Sequence, residues 1–195
     1  MHSFVSTAPW FLFFIAIERL GEVQLAVSNI TRSVSTLFFV IVNSFGATTA
    51  SLVSNLIGEG KGTQLFPLCR KILKLGYAIG LPLIVLALLF SRQIMGCYTD
   101  NTRLIEIAST PFIVMLLNYL FAVPGFVYIS ALTGTGDTRT AFIFQVTTII
   151  VYLIYLYVLS YCFTTPLAVY LTAEYLFVAM LGIQSYIYLK RKQIY

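Results

Sequence analysis

Charged residues are scarce in this sequence. Asp, Glu, Lys and Arg together make up 10% of its 195 residues, and 59% of the residues are hydrophobic. In an average soluble domain about a quarter of the residues are charged. A water-soluble core of this size could not bury so much apolar surface, and the composition therefore excludes an ordinary soluble protein.

Residue types that carry catalysis or bind metals are also rare. His2 is the single histidine and lies at the terminus, which argues against a histidine-dependent triad and against most zinc sites. The three cysteines, Cys69, Cys97 and Cys162, lack metal-ligand spacing, and we expect free thiols. The sequence has no glycine-rich phosphate loop. We therefore expect no metal, no cofactor and no ATP-driven activity, and we predict that the chain is not an enzyme.

One short motif is shared with a class of membrane enzymes. Gly134-Thr135-Gly136-Asp137 matches the Gly-x-Gly-Asp pattern of intramembrane aspartyl proteases. That chemistry requires a second aspartate at membrane depth, which shares a proton with the first. The only other aspartate, Asp100, falls in a gap between two apolar runs. The match is therefore accidental as a protease signature.

Long apolar runs dominate the sequence. A membrane-spanning helix needs about 20 mostly apolar residues, and six runs approach or exceed that length. They predict an all-α, polytopic membrane helix bundle with six transmembrane helices, in which residues 1–195 form a single membrane lobe. The approximate bounds of the spans are 3–18, 23–57, 72–91, 104–132, 141–163 and 166–189.

Three of these runs are irregular in length or composition. The first is short, as though upstream sequence were missing, and it lacks the flanking signals of a cleaved signal peptide. The second has 35 residues, so we expect either one tilted helix that projects beyond the membrane or a bent one. Pro82 in the third run, and Pro111 and Pro124 in the fourth, predict kinks.

The basic residues predict an orientation. Eight of the twelve lie in or beside the 58–71 gap, in the 133–140 gap, or near the C-terminus, and they are Lys61, Arg70, Lys71, Lys74, Arg139, Lys190, Arg191 and Lys192. Cytoplasmic loops carry the Lys/Arg excess, so we predict that these regions and both termini are cytoplasmic. The cations form no stripe with interleaved aromatics, and we expect no nucleic-acid partner.

Two charged residues lie deep inside predicted spans. Arg32 in the second run and Glu174 in the sixth are each about nine residues from the predicted outer surface, so at ~1.5 Å per residue they lie at similar depth. A buried guanidinium without a carboxylate would cost several kcal/mol. We therefore expect an ion pair between them. The pattern leaves open whether this pair is structural or linked to proton transfer.

Polar side chains also follow single faces of two runs. In the second run they are Ser28, Arg32, Ser35, Asn43, Gly46, Ala50 and Ser54, and in the fifth Gln145, Thr148, Tyr152 and Tyr155. Close packing through small residues and the lining of a cavity explain the first face about equally well. The second face offers ring faces and carbonyl oxygens to an organic cation, or it packs against a neighbouring helix.

Two stretches together resemble a known family. Residues 46–61, GATTASLVSNLIGEGK, are similar to a small-residue helix end that runs into Gly-x-Gly, here Gly58 and Gly60. Residues 131–139, ALTGTGDTR, are similar to a Leu-Arg-Gly-x-Gly-Asp loop, here Gly134, Gly136 and Asp137. The first closes span two and the second closes span four, where Asp137 can cap the next helix. These are features of the multidrug and toxic compound extrusion (MATE) transporters.

Family members carry twelve spans in two six-span lobes, and the chain resembles one lobe over nearly its whole length, most closely the C-terminal one. Asn55 and Thr133 stand where glutamine and arginine are common in the family. The acidic residues that some members use for cation coupling in the first and fourth spans of this lobe are not evident, since Ser6 and the Phe121-Ala122 region differ from them.

The resemblance implies a secondary active antiporter, or a lobe of one, in a bacterial plasma membrane. Such a protein exports amphipathic organic cations in exchange for protons or sodium by alternating access. Arg32 and Glu174 are then the candidates for coupling, and Asn43, Asn118, Gln145 and Tyr152 are candidates for the substrate cleft. The implied partners are membrane lipid, the cation substrate, and either a missing N-terminal lobe or a second copy in a homodimer.

Two alternatives remain open. Lipid-linked saccharide flippases of the same superfamily are one, although they would be expected to carry more cations on cleft-facing spans, where only Arg32 qualifies. A truncated lobe that does not transport is the other, and it is compatible with the short first run.

Overall fold

The computed structural model describes residue 17, residues 21–162 and residues 166–192. Within these ranges the chain is helical and contains no strand. The helices are α1 (Glu22–Gly58), α2 (Leu65–Leu89), the short α3 (Ser91–Gly96), α4 (Thr102–Leu117), α5 (Tyr119–Gly134), α6 (Thr138–Cys162) and α7 (Leu167–Arg191), and a 3₁₀ turn (Gly62–Gln64) precedes α2.

The structure confirms the all-α membrane bundle. Five segments of its described part are long and apolar enough to cross a bilayer, and they are Glu22–Gly58, Gly62–Leu89, Thr102–Gly134, Thr138–Tyr161 and Leu167–Arg191. The predicted first span, 3–18, lies outside the described residues apart from Ile17. Both the sixth crossing and the cytoplasmic location of the termini therefore stay predictions.

The long second run is one uninterrupted helix. α1 has 37 residues, so it is ~56 Å long, well beyond the ~30 Å of a hydrocarbon core. A helix of this length must tilt in the bilayer or extend beyond it. α1 ends at Gly58, and Gly60 follows with φ 72°, a left-handed conformation that glycine adopts without steric cost.

Two predicted span boundaries differ from the observed helices. α2 begins at Leu65 and not at residue 72, so Arg70 and Lys71 lie on its first turns and not in a loop. The fourth run is divided at Asn118 into α4 and α5, while Pro111 and Pro124 lie inside those helices. The proline positions therefore did not locate this break.

Side-chain caps explain where two of the helices start. The carboxamide of Asn101 accepts hydrogen bonds from the backbone N–H groups of Arg103 and Leu104, at 3.1 and 3.4 Å, at the start of α4. Asp137 accepts one from the N–H of Thr140, at 3.3 Å, at the start of α6. Both satisfy donors that a helix start leaves without an intrahelical partner. The predicted cap at Asp137 is confirmed.

The centre of the lobe is α5, which packs against α1, α2 and α7. Glycines permit the close approach on two sides. A Cβ at Gly125 would lie 2.5 Å from the carbonyl oxygen of Val178 in α7, and one at Gly134 would lie 2.5 Å from that of Ala50 in α1. Backbone atoms cannot move aside as a flexible side chain can, so both contacts require glycine.

We expect Gly125→Ala to destabilise the lobe. The added methyl would separate α5 from α7, and overpacking of this kind costs about 1–3 kcal/mol. Thermal unfolding in detergent should show a lower midpoint than wild type. Gly96→Ala is the control, since a Cβ there meets no atom within 4 Å. Equal midpoints for the two variants would contradict the tight contact.

Candidate functional site

Three ionisable side chains from three helices meet inside the lobe, and we call them the buried cluster: Arg32 of α1, Tyr152 of α6 and Glu174 of α7. Their exposed fractions are 8%, 2% and 8%. The Tyr152 hydroxyl donates a hydrogen bond of 3.2 Å to Oε1 of Glu174. The charges of Arg32 and Glu174 attract each other. The structure thus brings together the two charged residues that sequence spacing placed at similar depth.

The contact between them differs from the predicted one. The direct ion pairs that join two described residues are Lys61–Glu59 and Lys192–Asp137. Arg32 and Glu174 therefore interact over a longer distance than an ion pair, and the carboxylate takes its hydrogen bond from Tyr152 instead. Sequence analysis placed Tyr152 among the cleft residues and missed this role.

The energetic balance of the cluster depends on all three groups. Removing a charged side chain from water costs several kcal/mol, and the cost is recovered only where opposite charges and hydrogen bonds face it. Glu174 faces one opposite charge, from Arg32, and accepts one hydrogen bond, from Tyr152. The loss of Arg32 or Tyr152 therefore leaves the Glu174 carboxylate less well compensated in an apolar interior.

The remaining cleft candidates are dispersed. Asn43 is exposed on α1, and Gln145 is half-buried on α6, two helical turns from Tyr152. Asn118 is 2% exposed at the α4–α5 break. There it borders a cavity of about 10 Å³, which is also lined by Ser35 and Phe38. Asn43 is thus the candidate that lies on an accessible surface, whereas Asn118 and Tyr152 belong to the interior.

α1 also carries an accessible polar surface, interrupted by the exposed Leu37 and Val40 and here called the α1 stripe. Its members are exposed and recur at helical spacing, and they are Asn29, Ser33, Thr36, Asn43, Ser44, Thr48 and Ser51. Several hydroxyls bond to their own helix, such as Ser44 to the carbonyl of Val40 at 2.8 Å. Asn29 and Asn43 carry side-chain amides, which are more polar than these hydroxyls. Arg32 lies beside the stripe, because residues three or four apart share a helical face.

The predicted face in the second run is thus divided between two environments. Ser28, Ser35 and Gly46 are buried, whereas Asn43 and Ser54 are exposed. Close packing explains the buried part of the face, and the lining of a cavity stays a prediction for the exposed part.

In each family-like loop, at residues 58–60 and at residues 134–136, the two glycines have different structural roles. Gly60 and Gly136 have φ of 72° and 86°, so they provide the left-handed turn. Gly58 and Gly134 end helices. Asp137 does more than cap α6, because it also accepts hydrogen bonds from the Tyr188 hydroxyl at 2.7 Å and from Lys192 Nζ at 3.0 Å.

The surroundings of Asp137 favour its charged form. Hydrogen bonds from Tyr188, Lys192 and Thr140 hold the pKa of Asp137 well below its ordinary value. The same contact with Asp137 raises the pKa of Lys192. The α5–α6 loop is therefore tied to the end of α7 by an ion pair that stays charged at neutral pH.

The cluster predicts a pattern of coupled stability losses. Arg32→Leu and Glu174→Leu should each cost roughly 3–5 kcal/mol, and the double variant should cost much less than the sum, because removing both charges strands neither. Tyr152→Phe should cost about 1.5–3 kcal/mol in the wild-type background and less in Glu174→Leu.

Unfolding midpoints in detergent provide these values. Ile154→Val, at a site that is 59% exposed on the same helix as Tyr152, serves as the control for general effects on α6. Strictly additive losses for Arg32→Leu and Glu174→Leu would show that their charges do not interact.

Solved structures of membrane transporters share this fold. The chain superposes on a MOP superfamily transporter from Pyrococcus furiosus with a TM-score of 0.84 at 18% identity, covering 97% of this chain and 42% of that one. The TM-score, identity and coverage are the same for the outward-facing conformation of a multidrug resistance MATE family transporter of the MOP superfamily. A MATE in the bent conformation gives a TM-score of 0.80 at 19% identity, covering 97% and 43%.

The chain spans about two fifths of the length of these solved transporters. No curated protein matches its sequence. The MatE family profile, however, matches residues 2–158, which is most of the chain and includes both family-like loops. This 195-residue membrane protein therefore belongs to the MatE family of transporters.

Proposed function

We propose that the chain is one lobe of a secondary active antiporter that exports amphipathic organic cations, and that the buried cluster couples export to an ion gradient. The observation that carries the proposal is the position of Arg32. It interacts with Glu174 at the buried face of α1, and it adjoins the α1 stripe on the exposed face. A change of charge at Glu174 would therefore alter the interactions of Arg32 and, through Arg32, affect the neighbouring accessible surface.

The chemistry of the cluster favours a proton as the coupling ion. Glu174 has a guanidinium in electrostatic range, and its hydrogen-bond partner Tyr152 is a neutral donor. A sodium ion would need several oxygen ligands and would be repelled by Arg32. A proton needs only the carboxylate. Protonation would remove the attraction between α1 and α7 and thus alter how tightly α1 is held.

The α1 stripe is the surface that we assign to the substrate cleft. Polar side chains exposed at membrane depth are costly against lipid and usually face protein or a wet cavity. The stripe offers amide and hydroxyl oxygens and has no basic member, so it suits a cation better than the anionic carrier of a lipid-linked saccharide. A second lobe, either a different chain or a second copy, would form the opposite wall.

Cysteine accessibility tests the cleft assignment. In a variant without the native cysteines, Ser44→Cys and Thr48→Cys should react with a charged methanethiosulfonate at least about tenfold faster than Val85→Cys, because only a hydrated thiol ionises to the reactive thiolate. Val85 is 53% exposed on α2 and stands for a lipid-facing site. Equally slow reaction at all three positions would place the stripe against lipid.

Transport itself should require two lobes. We expect efflux-deficient cells that express the chain as a monomer to retain a fluorescent organic cation, because a cleft needs two walls. A tandem fusion of two copies is the test of the homodimer, since lobes with an even number of spans can pair about an axis along the membrane normal.

In a fusion that exports, Glu174→Gln in both copies should abolish export driven by a pH gradient, whereas Glu106→Gln, at an exposed position, should not. Export by the monomer, or export by the fusion that survives Glu174→Gln, would contradict the proposal.

A further inference from the structure

A groove of about 450 Å³ runs along the outside of the lobe between α5 and α7. Its floor is formed where Gly125 and Gly182 bring the two backbones together, with a Cβ at Gly182 only 3.0 Å from the Cα of Gly125. Its walls are apolar and aromatic, and they include Phe121, Pro124 and Tyr128 of α5 and Ala179, Ile183 and Tyr186 of α7. The absence of two side chains at the glycines creates the space.

Aromatic rings lie at both ends of the groove, and the end formed by Tyr128, Tyr186 and Phe66 is called the aromatic end here. Phe121 packs on Tyr175 at the end nearer the middle of α7, with ring centroids 5.3 Å apart. At the other end Tyr186 contacts both Tyr128 and Phe66, with ring centroids 5.1 and 5.8 Å apart. Phe66 belongs to the first turn of α2, so this aromatic end lies where α2 begins and α7 approaches its terminus. Tyrosines typically lie at the level of lipid headgroups.

Positive charge surrounds the aromatic end. The exposed Arg70 follows Phe66 by four residues, so it lies one turn further along the face of α2 that meets Tyr186. Among the described residues, the carboxylates at this end of the lobe are Glu59 and Asp137, and they are already paired with Lys61 and Lys192. Arg70, Lys71, Lys74, Lys190 and Arg191 make no ion pair with another described residue. The basic residues at this end of the groove therefore favour a ligand with an anionic headgroup.

The groove also faces away from the assigned cleft. α5 meets α1 through Gly134 and through Ser130, whose Oγ lies 2.9 Å from the Cβ position of Gly46. The groove residues of α5 recur three or four positions apart on the opposite side of that helix. The groove is thus directed towards lipid and not towards the second lobe of the proposed cleft.

We propose that this groove binds one anionic phospholipid, with an acyl chain between α5 and α7 and the phosphate beside Arg70. The groove fits within one leaflet of the bilayer. Phe121 to Tyr128 spans ~10 Å of helix, and half of a ~30 Å hydrocarbon core is ~15 Å thick. The phosphate would lie at the headgroup level of the leaflet on the basic side. Basic pockets between membrane helices bind anionic headgroups by the same chemistry.

Native mass spectrometry of the detergent-purified chain tests this. The probes are dioleoylphosphatidylglycerol and dioleoylphosphatidylcholine, which share acyl chains and differ in charge. We expect one retained phosphatidylglycerol in preference to phosphatidylcholine. Arg70→Gln should reduce that preference about fivefold, the effect of one basic residue near a headgroup. Arg92→Gln, an exposed arginine just beyond the other end of α2, should leave it unchanged.

A second pair of variants tests the acyl chain. Ile183→Trp should fill the groove and lower the retention of both lipids, whereas Ile154→Trp should not. The two isoleucines are matched, at 58% and 59% exposure, and Ile154 lies on α6 away from the groove. Unfolding midpoints without added lipid check that each variant is folded.

Several outcomes would overturn the proposal. Equal retention of the two lipids by wild type would indicate ordinary annular lipid. Unchanged retention in a folded Ile183→Trp variant would place the lipid elsewhere. A change in the monomer–dimer distribution of Ile183→Trp in lipid-free detergent would show that a second copy of the chain occupies the groove.

Discussion

The close approach of α5 to α1 and α7 is the constraint on which the lobe depends. Inside a bilayer the solvent is as apolar as the side chains, so helices associate through close packing and interhelical polar contacts. Gly134 against Ala50 fixes one side of α5, and Gly125 against Gly182 fixes the other. α1 and α7 are thereby held at set distances from a common centre. Arg32 and Glu174 reach the same interior region because their helices flank this one.

Small side chains also create the two accessible features of the lobe, the groove and the α1 stripe. Between α5 and α7 the paired glycines leave an apolar groove, and on α1 the small hydroxyl residues of the stripe leave a shallow polar surface. One is suited to an acyl chain and the other to an amphipathic solute. Because α5 separates them, the lobe presents different chemistry to lipid and to the proposed cleft.

Much of the architecture was predictable because the bilayer imposes strong rules. Apolar runs located five described spans, and the glycine-aspartate motif located the cap of α6. The break at Asn118 was not predicted, since proline is the usual signal and the chain tolerates Pro111 and Pro124 inside helices. The early start of α2 was not predicted because Arg70 and Lys71 were assigned to a loop, although their long side chains let charge extend from a helix into the headgroup region.

The cluster was only half visible in the sequence. Matched depth identified Arg32 and Glu174, but depth alone cannot give the azimuth of each helix, which decides between an ion pair and a longer contact. The partner of Glu174 did have a signal. α6 and α7 run antiparallel, so residues at similar distances from their facing ends lie at similar depth, and Tyr152 and Glu174 are ten and seven residues from those ends, Cys162 and Leu167. Tyr155 and Thr172, seven and five residues from the same ends, form a second contact at 2.9 Å.

The ties between helices determine how a change at Glu174 could be transmitted under the proposed function. α5, α6 and α7 are joined by the Gly125–Gly182 contact, by the antiparallel packing of α6 and α7 and by Asp137 with Tyr188 and Lys192. These ties connect the three helices into one packed unit. α1 packs on α5 through the glycine contacts and through the ring pairs Phe38–Tyr119 and Phe39–Phe126, and the attraction of Arg32 for Glu174 adds an interaction of longer range. Neutralising the carboxylate would remove that attraction and leave the packing of α1 on α5 in place, so the change would act on the part of α1 around Arg32, which adjoins the polar stripe.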